Sequence, residues 1–174
     1  KQAFEEIYKA PFIAKILLAE LGVKPERNLF LSINYDGNFE ESQGWAALGA
    51  TASVQGRMRR YVESQPAFAQ ASLAQAVELA LCTWAVGSLA QAASESPAAE
   101  SSSTQLSEEQ TEGDGSSLPD KAALLAHVRQ TVAEKSLECV LLERRGPGSA
   151  KYRALRPEEL GRLLPSAVSA PATT

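Results

Sequence analysis

The sequence predicts an α+β domain, and three observations predict it. Residues 29–35 alternate Leu29, Leu31, Ile33 and Tyr35 with Phe30, Ser32 and Asn34, and Asp36-Gly37 follows as a turn pair able to take positive φ. Residues 52–64 and 72–92 instead carry their apolar residues three and four apart, the spacing of one helical face. Residues 136–144 form a strand-like run with a dense apolar centre, followed by the turn Gly146-Pro147-Gly148 and a second short run at 151–155.

Taken in order, residues 1–10 place Phe4, Ile7 and Tyr8 on one face of an amphipathic helix that stops at Pro11. This helix opens on Lys1 without a cap, and we expect the chain to be a piece of a longer protein. Residues 12–23 are rich in Ala, Leu and Ile, and periodicity leaves helix and buried strand both open. Residues 23–28 read as a turn into the hairpin. After Gly44, the small residues of 45–51 suit a buried strand that another backbone approaches closely. Val54, Met58, Tyr61 and Val62 then line a helix that ends at Gln65-Pro66.

Ser72 opens the best-marked helix. Ser72 and Gln75 form a capping box, and Leu73, Ala76, Val77, Ala80, Leu81 and Trp84 form one apolar stripe. Residues 93–117 are Ser-rich and acidic, with too little apolar surface to offset the entropy of ordering, and read as a disordered loop. Pro119 stands at a first helical position, and Ala122, Leu125, Val128 and Val132 give the next helix its buried face. Pro157-Glu158-Glu159 starts a final helix with Leu160, Leu163 and Leu164 inward, and residues 165–174 form a loose tail. The expected organisation is residues 1–92 and 118–164 as two parts of one domain, separated by the loop 93–117 and followed by the tail.

Composition excludes several function classes. The 174 residues are 44% apolar and 22% charged, ordinary for one soluble domain. Residues 61–120 hold nine acids and no Lys or Arg, which is not a nucleic-acid footprint. The cluster Arg57, Arg59 and Arg60 reads as a solvated or subunit-facing helix surface. No run of about 18 apolar residues predicts a membrane span. Cys82 and Cys139, each inside an apolar run, read as buried free thiols of a reducing cytosol.

Reactive chemistry is equally sparse. Two cysteines and one histidine offer no metal-site spacing, and no phosphate-binding, dinucleotide-binding or nucleophile-elbow motif occurs. A Cys82–His127 pair is a poor nucleophile, because Cys82 lies within an apolar stripe. The reading is therefore of no catalytic, cofactor-binding or metal-binding residue, and of no cofactor.

Three stretches resemble the C-terminal half of proteasome subunits, and of bacterial α-type subunits in particular. Residues 11–20, opening with Pro-Phe and ending Ala-Glu, resemble the strand that follows the family's second helix. Residues 29–50, with Ile33-Asn34-Tyr35-Asp36-Gly37 and Gly49, resemble its next hairpin and the small residue before its third helix. Residues 72–81 and 137–164, with Pro157-Glu158-Glu159-Leu160, resemble its later helix, closing strand pair and last helix. The resemblance covers nearly everything outside 93–134, and it favours strand over helix at 12–19.

The resemblance implies a four-layer αββα sandwich of the N-terminal nucleophile hydrolase type, with antiparallel sheets, of which this chain supplies the second half. It implies a non-catalytic subunit of a cytoplasmic threonine endopeptidase complex, in a homo-oligomeric heptameric ring that gates the passage of unfolded polypeptide. The implied partners are β-type subunits and a ring-shaped ATPase activator, with no nucleic acid and no membrane. The alternatives are a divergent β-type threonine protease and an unrelated α+β interaction module. Against the first, Gly49-Ala50-Thr51-Ala52-Ser53 stands where the β pattern expects a Gly-Ser-rich turn. The one candidate for its Asp-x-x-Ser-Gly-Gly element, Asp114-Gly115-Ser116-Ser117, lies in the acidic segment.

Overall fold

A computed structural model describes residues 14–66, 70–95, 117–146 and 151–168 of the chain. The expected helix at 1–10, most of the acidic loop, the Pro147-Gly148 turn and the end of the tail lie outside the described residues. Strands and helices are both present in the α+β manner expected. The chain divides into two compact units, Lys1–Leu48 with Leu142–Tyr152, and Gly49–Leu141 with Arg153–Thr174.

In the first unit, β1 (Ile16–Glu20), β2 (Leu29–Ile33) and β3 (Phe39–Ser42) form an antiparallel sheet in sequence order. The segment with undecided periodicity is thus a strand, since its backbone pairs along β2 from Ile16↔Ile33 to Glu20↔Leu29. Between β2 and β3 the turn forms where Asp36-Gly37 predicts it. Gly37 takes φ +85°, and the Asp36 carboxylate accepts from Asn38 N at 3.0 Å and Asn38 Nδ2 at 2.7 Å. These bonds hold the Asp36 carboxyl below its ordinary pKa, the backbone one contributing most.

The expected strand at 45–51 is absent. The hairpin's second strand is β3, and Gly44, at φ +83°, turns the chain away from it. Residues 45–49 are half-buried to buried, but pair with no strand among the described residues. Close backbone approach does occur there, because a Cβ on Gly49 would lie 2.6 Å from Gln55 N.

The turn from β1 to β2 carries a 3-10 helix, Pro25–Arg27, and is tied at three points. Asn28 Oδ1 accepts from Gly22 N at 3.2 Å and from Arg144 Nη2 at 2.6 Å, while Arg144 Nε donates to Gly22 O at 3.0 Å. Gly22 is required sterically, since a Cβ there would lie 2.3 Å from Arg27 O.

The second unit is built on three long helices, α1 (Ala52–Glu63), α2 (Leu73–Glu95) and α3 (Lys121–Glu134), and a short α4 (Pro157–Leu163). Thr51 Oγ1 caps α1 by accepting from Val54 N at 3.2 Å. The Ser72 capping box forms as its sequence predicts: Gln75 N donates to Ser72 Oγ at 3.3 Å, and Ser72 N donates to Gln75 Oε1 at 2.8 Å. At α3 the cap is Asp120, not a helix start at Pro119, because the Asp120 carboxylate takes the Ala123 amide at 2.6 Å. At α4, Glu159 Oε2 accepts from Arg156 N at 3.1 Å, and Arg153 Nη1 and Arg156 Nε also reach this carboxylate.

α2 packs against α1, α3 and α4. Its apolar residues surround the helix on all sides, and the expected single stripe is divided. Val77, Leu81, Cys82, Ala85 and Val86 are buried, whereas Leu73, Ala76, Ala80 and Trp84 are exposed. By length and composition α2 could cross a membrane, a test that soluble core helices also pass. On α3 the inward face holds Leu124, Leu125 and Val128, while Ala122 points to solvent. The following run is a strand only at β4 (Val140–Leu142), which pairs with β5 (Tyr152–Ala154); the boundary between the units runs through this pair.

Gly22→Ala is expected to lower stability by about 1–3 kcal/mol, because the Arg27 carbonyl cannot move aside as a flexible side chain would. Gly56→Ala in α1, where an added Cβ meets nothing within 4 Å, is expected to raise stability by about 0.5–1 kcal/mol. Urea unfolding of both variants checks the pair, and an unchanged midpoint for Gly22→Ala would contradict the steric assignment.

Candidate functional site

The groups capable of chemistry lie in the helical unit. Near the N-terminal end of α2, a cleft of about 470 Å³ is bounded by Tyr61, Gln65, Gln75, Glu78, Cys82 and Lys121. Across it, Lys121 Nζ forms an ion pair with Glu78 Oε1. This pairing, first as a hydrogen bond and then as charge, raises the Lys121 pKa.

The wall of the cleft holds Cys82, with 1% of its surface exposed, beside Tyr61. Burial is the largest influence on both groups and pushes both pKa values up. The Tyr61 hydroxyl opposes this at Cys82 by stabilising the thiolate, while the Cys82 sulfur raises Tyr61 further. The outcome is a neutral, enclosed thiol, opposite to the electropositive and open setting of a reactive cysteine.

His127 faces a different partner. Its Nε2 lies 3.0 Å from Ser88 Oγ, and its ring stacks on Trp84 with centroids 5.7 Å apart and planes 16° from parallel. The sequence offered no sign of the Ser88 contact except that Trp84 and Ser88 are four apart and therefore share a face of α2. Ser88–His127 has the distance of a nucleophile–base pair. Ser88 lies inside α2, however, where backbone amides are engaged in helical hydrogen bonds and offer no adjacent oxyanion donors. The trio joins α2 to α3 through packing and one polar contact.

Thr51, in the segment where a β-type subunit would carry part of its proton-handling turn, uses its hydroxyl to cap α1. Asp114, Gly115 and Ser116 lie outside the described residues. Among the described residues, no group of three or more His, Cys, Asp or Glu side chains could hold a metal ion.

The first unit offers a surface in place of reactive groups. The strand register puts Ile16, Leu18, Leu29, Leu31, Ile33 and Phe39 on one sheet face, with Glu20 and Glu41 beside them. Ile16 is 48%, Leu18 49% and Phe39 66% exposed. Large apolar residues are therefore exposed together on one face of this sheet. No known family model, curated protein or solved structure matches the chain.

Two measurements test the environment of the thiol. Under native conditions, a thiol reagent is expected to modify half-buried Cys139 at least tenfold faster than Cys82, with Cys82 reacting only on unfolding; equal rates followed by mass spectrometry would overturn the enclosed assignment. Because the folded state holds Cys82 and Tyr61 protonated above their ordinary values of 9.0 and 10.0, the unfolded chain binds fewer protons once pH exceeds about 9. Stability is therefore expected to fall as pH rises beyond that point. Tyr61→Phe, which removes one of the two ionisations, is expected to flatten the decline in urea midpoints.

Proposed function

We propose that the chain is a non-catalytic α-type proteasome subunit, and that it works by position. Copies packed side by side form a heptameric ring in the cytoplasm, cap a ring of β-type subunits, and admit unfolded polypeptide when a ring-shaped ATPase activator docks. Confining hydrolysis within a chamber makes access the step that selects substrates, so the ring subunit needs shape and contacts more than a nucleophile.

The observation that carries the reading is β1. Residues 16–20 fit helix or strand by composition, the proteasome resemblance requires strand, and they pair antiparallel along β2. A helix there would have favoured an unrelated interaction module. The order of the remaining elements supports it in part: a hairpin turn at Asp36-Gly37, a small-residue segment at 45–50 that is not the strand the resemblance implies, three long helices, then a strand pair and a helix beginning Pro157-Glu158-Glu159.

In a four-layer αββα sandwich, a second antiparallel sheet would cover the face bearing Ile16, Leu18, Leu31, Ile33 and Phe39. The chemistry of the helical unit supports a non-catalytic role: Cys82 is enclosed and protonated, Ser88 sits within a helix, and the Thr51 hydroxyl serves as a cap.

Native mass spectrometry of the complete protein co-expressed with β-type subunits from the same genome tests this directly. The expected result is a seven-membered ring bound to a β ring. A stable monomer that never joins β subunits would overturn the proposal.

A further inference from the structure

We draw no further inference here: the strongest candidate, the exposed apolar face of the three-stranded sheet formed by Ile16, Leu18, Leu31, Ile33 and Phe39, carries nothing because nothing in the structure shows what covers it.

Discussion

The packing of α3 onto α2 is the contact on which the helical unit depends. Leu124 and Val128 have no exposed surface, and they share one apolar cluster with Cys82, Ala85 and Val86. α1 and α4 complete this cluster through Tyr61 and Leu160. Gly87 permits close approach on the α1 side, where a Cβ would lie 2.7 Å from Met58 Sδ. Leu137, Cys139 and Leu155 pack at the margin of the cluster.

The sheet unit rests on different forces. Among its described residues no side chain is fully buried, and the three strands are held by their backbone ladder, the Asp36 turn and the Arg144 clamp on Gly22 and Asn28. Hydrogen bonds to a charged guanidinium contribute about 1.5–3 kcal/mol each in favourable settings, which makes Arg144 a large part of what orders the 21–28 turn. A small sheet with an apolar face ordinarily needs another layer against that face.

Polar pairs bridge the helices of the helical unit. Glu78–Lys121 and Ser88–His127 each connect α2 to α3, and Tyr61–Cys82 connects α1 to α2. Each pair links residues far apart in sequence but adjacent across a helix contact. Such links align the helices.

Features governed by neighbouring residues were legible in the sequence. Asp36-Gly37 makes its turn, and Ser72 with Gln75 makes its capping box, because their partners lie within three residues and the local backbone determines the hydrogen bonds. The inward leucine of α4 was equally plain, since acids in the first turn and Leu160 set both the start and the face of that short helix. Tertiary structure decided the rest. Residues 16–20 became a strand through pairing with β2, whereas 45–49 pair with no strand among the described residues. On α2, apolar on every side, only the placement of α1, α3 and α4 could select Val77, Leu81 and Ala85 for burial and leave Leu73 and Trp84 outside. Local sequence determined where turns and helices begin, while long-range contacts determined which of several apolar faces would lose its water.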